Sequence, residues 1–588
     1  PADFPAGDYQ LVVTNAAGLS TTEGVTVTVG TDTPTRVAQG ASIQAAIDAA
    51  GAGDLILVGP GVFEELVIMW KPVRLQGAGP GATFINGVKR PTEAILEWRA
   101  KMDCLFGIQD PDGPACPADV FGVVDPLPNQ LAGAGGFDTE EGAAVTVVGL
   151  FDEGTRGPGP VGGFRRSEAR IDGFSITGGD TGGGIFVNGY AHGLVVANNR
   201  IFGNSGSYHG GIRVGRPFLE LAEDGPYSFN RDVTISHNAI TQNGGLEGAG
   251  GGLSINTGTD AYEVSGNFVC GNFTLGDGGG IGHFGLSDGG VIANNEILFN
   301  QSFNQGQSVS GGGILVSGEP PLVGELTQGA GDVAITGNLV KGNQAGGGHG
   351  GGIRTQFVSG RDFVNARDAG RDNKRLGDLY RVDITNNIVV DNVAAWSGGG
   401  ISMQDTAFSG IVNNTIANND STATVGGLIT VNPDGTTTSI PQPSGIATEV
   451  HSAELNNVIP NAGNTAMLRD FSNPEIVNNI LWQNRAFSYL ADKDGGARLV
   501  PELAAGTVGG CAAGASYSDL GVLGGANVLN PISSVLTDTT GYDASNTSGD
   551  PLFVEPYCNG ARDGAGPMFA LPALDEGGNA WIEVRFGP

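Results

Sequence analysis

The sequence predicts an all-β protein in which short strands wind into a stack of parallel coils. Two sets of residues in phase with each other predict it. A glycine run followed by an aliphatic residue recurs eight times, and a pair of asparagines five residues apart also recurs eight times. The aliphatic residues are Ile185, Ile212, Leu253, Ile281, Ile314, Ile353, Ile401 and Leu428. The asparagine pairs are Asn199/Asn204, Asn238/Asn243, Asn267/Asn272, Asn295/Asn300, Asn338/Asn343, Asn387/Asn392, Asn414/Asn419 and Asn479/Asn484.

The length of the repeat indicates what one coil contains. Ile185 and Ile212 are 27 residues apart, and Leu253 and Ile281 are 28 apart. Segments between them alternate apolar and polar residues, as strands do, so about three short strands and three turns fit into one repeat. Longer spacings predict insertions that form loops outside the coils.

The two ladders have physical causes in such a stack. In-register parallel strands place identical residues above one another. We expect the asparagines to adopt the left-handed conformation at tight turns and to hydrogen-bond with their equivalents in neighbouring coils. We expect the glycines to form a corner with positive φ, and the aliphatic residue after each run to point into the core.

The charge of the chain restricts its partners. The sequence has 61 acidic and 29 basic residues, a net charge of −32. A nucleic-acid partner is therefore not expected, because nucleic-acid binding requires a basic surface. Divalent cations, Ca²⁺ above all, are plausible partners. Alternatively, the charge only keeps a secreted protein in solution. No run of 18 apolar residues predicts a membrane span.

The start of the repeat region predicts a cap. Residues 42–50 form a short amphipathic pattern in which Ser42 is placed to be the N-cap of a helix. Strand-like segments follow at 53–63 and 73–77. Together with the repeats, this arrangement resembles the right-handed parallel β-helix family, the pectin-lyase-like superfamily, over residues 35–570. The resemblance implies a parallel β-helix with an N-terminal capping helix and long loop insertions.

Both ends of the sequence differ from the repeats. Residues 1–30 contain two alternating strands that resemble the last hairpin of an Ig-like or TIG-like domain. Thirty residues cannot bury a core of that type. We therefore expect that the chain was cut from a longer one, or that a partner supplies the missing strands. The predicted domains are this fragment at 1–30, a parallel β-helix at 31–500, and C-terminal coils with a cap region at 501–588.

Five cysteines occur, none in a zinc-binding spacing. Cys104 and Cys116 flank a short loop that suits a local disulfide, and Cys511 and Cys558 could pair with each other. Disulfides would place the protein outside the cell or on its surface. Cys270 is left over, at a position expected to face outward, as a free thiol or an intermolecular bridge.

The family that the chain resembles contains lyases, hydrolases, esterases and non-catalytic adhesins, so the fold does not decide the function. The hydrolases of this fold share four short motifs, of which this sequence has only Gly348-His349-Gly350. His349 also lies inside a glycine corner of the repeat. We therefore interpret it as a structural residue, with a catalytic histidine as the alternative.

Lyases of this fold use an arginine or lysine base beside carboxylates that bind Ca²⁺. Arg213 and Arg354 are the candidate bases, since each follows an inward-facing isoleucine and should point outward into solvent. They lie four coils apart, about 19 Å at the spacing of β-strands, and do not form one site. His283 should instead point into the core.

Two further features concern the outer surface. The outward positions Phe186, Leu315 and Ile429 predict either an apolar partner surface or a surface covered by the insertions. The insertion at 359–382 is rich in both basic and acidic residues. It predicts either a self-neutralising loop packed on the coils or a site for an anionic glycan.

From these observations we expect a secreted or cell-surface, non-catalytic β-helix that serves as a scaffold, an adhesin or a component of an extracellular filament. The alternative is a polysaccharide lyase or glycoside hydrolase acting on acidic polysaccharide. The expected partners are further copies of the chain or other surface proteins, with polysaccharide as the alternative. No cofactor is required by the sequence.

Overall fold

A computed structural model shows the fold. It describes residues 4–14, 16, 20–30, 33–109, 115–128, 130, 142–151, 164, 169–217, 219, 229–304, 307–368, 379–461, 463–493, 496–504, 511–554 and 557. The chain divides into two compact units. The first comprises residues 1–244 and 256–268, and the second comprises residues 245–255 and 269–588.

Each unit is a parallel β-helix, as the sequence predicts. A full coil contributes strands to four parallel sheets, which we number 1 to 4 in chain order within one coil. The predicted coil had three strands; the fourth is only two residues long and forms sheet 3.

In the first unit the strands follow one another coil by coil within each sheet. Sheet 1 contains Thr35–Val37, Leu55–Val58, Arg74–Gly77, Arg170–Asp172, Val195–Ala197, Thr234–Ser236 and Glu263–Ser265. Sheet 2 contains Gly61–Phe63, Thr83–Asn86, Ser175–Thr177, Arg200–Phe202 and Ala239–Thr241. Sheet 3 contains Ser205–Gly206, and sheet 4 contains Val67–Met69, Val145–Val147, Ile185–Val187 and Ile212–Val214.

The second unit repeats this arrangement. Sheet 1 contains Gly290–Ala293, Val333–Thr336, Val382–Thr385, Ser409–Val412 and Glu475–Val477. Sheet 2 contains Glu296–Leu298, Leu339–Lys341, Ile388–Val390, Thr415–Ala417, Ile480–Trp482 and Val535–Leu536. Sheet 3 contains Phe273–Thr274, Gln301–Ser302, Gln344–Ala345, Val393–Ala394, Asp420–Ser421 and Arg485–Ala486. Sheet 4 contains Ile281–Phe284, Ile314–Ser317, Ile353–Gln356, Ile401–Gln404, Ile446–Glu449 and Leu520–Leu523. Three further strands, Gly244–Gly245, Leu253–Asn256 and Phe268–Cys270, contain the points at which the chain passes from one unit to the other.

The core of each unit is the inside of the coils. In sheet 4 of the second unit, Ile314 pairs with Ile353, and Ile353 pairs with Ile401, in register. All three are fully buried. The prediction that Leu428 is the last member of this ladder is wrong. Leu428 ends a 3-10 turn at Gly426–Leu428, and Ile446 is the residue that pairs with Ile401. An insertion separates Ile401 from Ile446. The glycine pair and the leucine within that insertion resemble the repeat in sequence but form a different turn.

A capping helix precedes the coils of the first unit. Helix α1 (Ile43–Ala49) begins after Ser42, whose hydroxyl accepts a hydrogen bond from the backbone N–H of Ala45 at 3.1 Å. Its buried residues are Ile43 and Ile47. Glu65 accepts hydrogen bonds from the backbone N–H groups at the start of the helix, which fixes α1 to the strand region after Phe63. The sequence prediction of α1 and its N-cap is confirmed.

The N-terminal strands, Gly7–Thr14 and Ser20–Val29, form an antiparallel hairpin. The hairpin is bonded to sheet 1 of the same unit by buried polar groups. Asp172 accepts from the backbone N–H of Thr26 at 3.2 Å and from its hydroxyl, while Gln76 donates to the Thr26 carbonyl at 2.7 Å. Arg170 forms an ion pair with Asp8. The hairpin that was expected to belong to an Ig-like domain is therefore bonded to the β-helix of its own unit. The predicted domain boundary at residue 30 stays a prediction.

Helix α2 (Glu93–Leu105) lies in an insertion of the first unit. Its apolar face packs Trp98 and Met102 against Ile68 and Val148. The predicted disulfide between Cys104 and Cys116 is present and ties the end of α2 to the following loop. These contacts attach the insertion to the outside of the coils.

The insertions of the second unit pack against one another. Helix α3 (Arg361–Asp368) and helix α4 (Ala453–Val458) contribute Phe363 and Leu455 to one apolar cluster, which Leu326 and Leu379 complete from neighbouring loops. A 3-10 turn at Gly463–Leu468 joins the cluster. A separate antiparallel sheet is formed by Ile429–Val431, Thr437–Ser439, Ser488–Ala491 and Ala497–Val500.

Candidate functional site

The asparagine ladders hold neighbouring coils together by side-chain amides. Asn343 is typical: its Oδ1 accepts from the backbone N–H and Nδ2 of Asn300, at 2.9 and 3.0 Å. Its own Nδ2 donates to the Ile297 carbonyl at 2.8 Å and to Asn392 Oδ1 at 3.0 Å. Asn343 belongs to the ladder of second members of the pairs. The same pattern joins the buried first members: Asn199, Asn238 and Asn267 in the first unit, and Asn295, Asn338, Asn387, Asn414 and Asn479 in the second.

One expectation about the ladders is wrong. The left-handed conformation belongs to the residue before the ladder asparagine, such as Asn386 (φ 56°) and Asn413 (φ 59°). The ladder residue itself needs ordinary backbone geometry, because its amide must lie parallel to the stack to reach the coils on both sides. The turn at the preceding residue directs the asparagine side chain inward. The preceding residue, and not the asparagine, therefore adopts the less favourable positive φ.

Both ladders change residue type after Asn479 and Asn484. In each earlier step an asparagine donates its backbone N–H and Nδ2 to Oδ1 of the next residue. After them, Asn484 donates to Asp519 Oδ1, and the backbone N–H of Asn479 donates to Ser534 Oγ. Asp519 has no amide group that would need an acceptor, whereas the backbone N–H of Ser534 continues its ladder by donating to Asn546 Oδ1 at 3.0 Å.

The glycine corners of the second unit carry a polar column beside sheet 4. Asp277, Ser310, His349 and Ser397 each precede a glycine run. Asp277 Oδ1 accepts from the backbone N–H of Ser310 at 2.6 Å, and Ser310 Oγ accepts from the backbone N–H of His349 at 3.1 Å. His349 Nδ1 and Ser397 Oγ are 2.7 Å apart. Burial raises the pKa of Asp277 to about 6.

Arg354, on sheet 4, binds four neighbouring side chains. Its Nε donates to Gln356 Oε1 at 2.9 Å, one terminal nitrogen donates to Ser402 Oγ at 2.7 Å, and the other donates to Gln404 Oε1 at 2.6 Å. The nitrogen that binds Ser402 also donates to Glu449 Oε1 at 2.5 Å. We call these five residues the Arg354 cluster. It joins three successive coils.

The expectation that Arg354 faces solvent is wrong, since only 2 % of it is exposed. The alternation of side chains does place it outside the coil core. However, the glycine corner of the same coil folds over the outer side of sheet 4. A Cβ at Gly350 (φ 69°) would lie 2.8 Å from the Cβ of Arg354, so only a glycine lets the backbone approach this closely. The outward face of the strand is therefore covered by the corner.

His349 and Glu449 are titratable groups that lie beside Arg354. The two lie 3.9 Å apart, and the His349 ring stacks on Trp396 with 4.7 Å between ring centroids. Burial lowers the pKa of His349 to about 4, so the ring is neutral near pH 7. Burial alone would raise the pKa of Glu449, but the charge of Arg354, the neighbouring His349 and the hydrogen bond from Arg354 together hold the pKa below its usual value. The cluster is thus an ion pair beside a neutral histidine.

Arg213, the other candidate base, lies in the first unit. It is fully buried, contrary to the expectation of an exposed base. Its guanidinium stacks on Phe186 and Tyr208, 4.9 and 5.1 Å from the ring centroids, and its Nε donates to the Gly215 carbonyl at 2.9 Å. Phe186 is buried as well, and so is Leu315 in the second unit. Phe186 and Leu315 are therefore covered, but beside Leu315 the cover is the glycine corner at Gly311 rather than an insertion. Ile429 is half-buried and lies in the separate antiparallel sheet.

His283 points into the coil core, as predicted, and is fully buried. Its Nε2 lies 2.9 Å from the Gly285 carbonyl and 3.1 Å from the Ala330 carbonyl. Burial lowers the pKa of His283 to about 4. A neutral imidazole that satisfies two backbone carbonyls explains a histidine in this position.

The mixed-charge insertion at 359–382 is described only at its ends. Arg361 donates from its backbone N–H to the Thr327 carbonyl and from Nε to the Leu326 carbonyl, and Arg381 pairs with Asp383 at 2.7 Å. Asp362 accepts from the backbone N–H groups of Gly360 and Tyr380. These ends contact the neighbouring loop at Leu326 and the strand Val382–Thr385 of sheet 1, and the choice between a self-neutralising loop and a glycan site stays a prediction. Its centre, with Arg371, Lys374 and Arg375, lies outside the described residues.

The remaining cysteines are partly described. Cys270 is half-buried and forms no disulfide. Cys511 takes part in a disulfide, while its predicted partner, Cys558, lies outside the described residues. In the described part of the chain, no group of three or more histidine, cysteine or acidic residues is arranged to hold a metal ion. Within the same residues, no helix is both long and apolar enough to cross a membrane.

Sequence reasoning missed Glu449 and Gln404. Both end strands of sheet 4, three residues after the inward isoleucines Ile446 and Ile401. The repeat of Gln356 and Gln404 at equivalent positions was a usable signal. The position of Glu449 depended on recognising Ile446 after an insertion, where the glycine run is reduced to one residue.

Comparisons with known proteins add little. No protein-family model matches the chain, and no curated protein matches it. Among solved structures, it is similar to the catalytic domain of a GH87 alpha-1,3-glucanase in complex with nigerose, with a TM-score of 0.23 and 11 % identity. The match covers 76 % of this chain and 63 % of that chain, which is less than two thirds of its length. At these values the likeness assigns no activity to this chain.

Proposed function

We propose that the chain is a non-catalytic scaffold at the cell surface or outside the cell, built to hold its loops and flanking segments on a rigid β-helix. The observation that carries the proposal is the burial of Arg354, whose guanidinium is bound by four neighbouring side chains. An arginine that acts as a base must reach a substrate and give up a proton. This guanidinium is covered, and its ion pair with Glu449 favours the charged form.

The neighbouring groups support the same interpretation. Catalysis by Ser397 through His349 would need an accessible hydroxyl, but Ser397 is fully buried. Glycoside hydrolysis would need a second carboxylic acid near Glu449. The neighbouring carboxyl group, Asp277, interacts with the charge of Arg354, but it accepts a hydrogen bond from the backbone of Ser310 and is not among the groups that shift the Glu449 pKa.

The location outside the cell is supported by the disulfide between Cys104 and Cys116, since such bonds persist in oxidising compartments. The acidic composition, with a net charge of −32, suits a soluble surface protein. Partners of such a scaffold would be other surface proteins or further copies of the chain.

The test is turnover of a panel of acidic and neutral polysaccharides, with and without Ca²⁺, followed by reducing-end and unsaturated-product assays. The proposal expects no product above the level of a heat-unfolded control. Reproducible depolymerisation above that control would refute it, and loss of the activity in a folded Glu449→Gln variant would locate it in the Arg354 cluster. That result would favour the glycoside hydrolase or lyase alternative.

A further inference from the structure

A pocket in the first unit lies outside all the sites discussed above. It has a volume of about 580 Å³ and is bounded by α1, by the segment that follows Phe63, and by α2. We call it the α1–α2 pocket. Its volume falls in the range of roughly 300–1,000 Å³ that small-molecule sites occupy.

The floor of the α1–α2 pocket is apolar. It is formed by the buried side chains of Phe63, Ile68 and Trp98, with Leu66 half-buried beside them. At the mouth, Val62 is 51 % exposed, so apolar surface continues to the rim. An apolar ligand group entering here would displace water from this floor, which is favourable.

The charged groups of the pocket divide into two kinds. Asp48 and Lys101 pair at 2.5 Å and neutralise each other, and Asp48 also accepts from Trp70 Nε1 at 2.8 Å. Glu65 uses both oxygens to cap α1. These groups build the walls of the pocket, and their hydrogen-bonding capacity is largely used.

Glu64 and Glu97 differ from them. Both line the α1–α2 pocket and are exposed, and neither forms a hydrogen bond or an ion pair with any residue that the structure describes. Two unpaired carboxylates above an apolar floor favour a ligand with a positive charge at one end and an apolar body at the other. The excess of acidic residues in the chain attracts cations as well.

We propose that the α1–α2 pocket binds a small organic ammonium ion, with its apolar body on the floor formed by Phe63, Ile68 and Trp98 and its ammonium group between Glu64 and Glu97. The ammonium group donates hydrogen bonds to the two carboxylates. Recognition of this kind is independent of whether the β-helix is a scaffold or an enzyme. It adds a ligand-binding function to a region that the fold alone would treat as a cap.

The experiment is isothermal titration of the full chain with phenethylammonium chloride at low salt. We expect saturable binding with a dissociation constant of about 1 mM or tighter. The neutral analogue 2-phenylethanol should bind about 10-fold more weakly, since it lacks the charge. Absence of saturable binding, or equal binding of the two probes, would overturn the proposal.

Variants locate the site. The double substitution Glu64→Gln and Glu97→Gln should weaken phenethylammonium about 10-fold, and Ala94→Trp, which fills the pocket, should abolish binding. A matched control, Glu263→Gln with Glu475→Gln, removes two exposed carboxylates of sheet 1 and should bind like wild type. The unfolding midpoint of every variant is measured alongside. Equal weakening in the control, or undiminished binding in a folded Ala94→Trp variant, would show unspecific attraction of cations and sink the proposal.

Discussion

Replacing Asn343 by alanine should destabilise the second unit more than any surface substitution. Four side-chain hydrogen bonds disappear together: two that Oδ1 accepts from Asn300 and two that Nδ2 donates, to Ile297 and Asn392. All of these groups are buried inside the turn, where water cannot replace the lost partner.

The magnitude follows from what remains. Asn392 Oδ1 keeps the backbone N–H of Asn343, and Asn300 Nδ2 keeps the Val269 carbonyl. The backbone N–H of Asn300 loses the acceptor that Asn343 supplied, and the Ile297 carbonyl loses one donor. At about 1–3 kcal/mol for each of these two buried groups, the cost is about 2–6 kcal/mol.

The assay is unfolding in urea, combined with amide hydrogen exchange resolved by peptide, because coils of a repeat protein can open separately. Exchange should accelerate most in the peptides around residues 296–300 and 388–392. The control is Asn413→Gly, because Asn413 is exposed, accepts a hydrogen bond from Asn478, and has a positive φ that glycine also adopts. This control should lose no more than about 0.5 kcal/mol of unfolding free energy. A loss below about 1 kcal/mol for Asn343→Ala would refute the idea that the ladder stabilises the stack.

Three other substitutions have defined outcomes. Arg354→Ala leaves the half-buried Glu449 carboxylate without its partner and should cost about 3 kcal/mol in urea unfolding, the lower end of the range for buried pairs. Arg354→Met with Glu449→Leu should recover part of this cost. Equal stability of the single variant and wild type would contradict a structural ion pair. His283 keeps a pKa of about 4 in the fold against 6.5 for the ordinary side chain, so the unfolded chain binds more protons between these values. The free energy of unfolding should therefore fall as the pH drops from about 6.5 to 4. His283→Gln should remove up to about 3 kcal/mol of this fall. The same pH dependence in the variant and in wild type would contradict the prediction. Replacing Cys104 and Cys116 by serine should cost about 3 kcal/mol in the α2 region for a loop of this length, seen as faster exchange in α2 alone; unaltered exchange there would show that the disulfide adds nothing.

Much of the fold was predictable because the coils repeat. Each ladder position recurs several times along the sequence, so the glycine runs alone suffice to align Ile314, Ile353 and Ile401. The N-cap at Ser42 was predictable for a different reason, since capping is local chemistry. Leu428 was misassigned because a single glycine pair after an insertion carries little register information.

The surroundings of the candidate site could not be predicted in the same way. Alternation of side chains fixes whether Arg354 points into or out of the coil, but not what lies over the outer face. The cover comes from the corner at Gly350 and from Glu449, which is 95 residues further along the chain. Contacts of that kind depend on how the insertions fold, and their sequences do not repeat.

Chemical accessibility of Arg354 is the most direct test of its structural role. The native protein is treated with phenylglyoxal, and each arginine is followed by peptide mass spectrometry. We expect Arg354 to stay unmodified until the protein unfolds, while Arg231 and Arg498, whose side chains are 56 % and 39 % exposed, react early. Modification of Arg354 in the folded protein at the rate of these two residues would contradict a buried structural ion pair and reopen its assignment as a base.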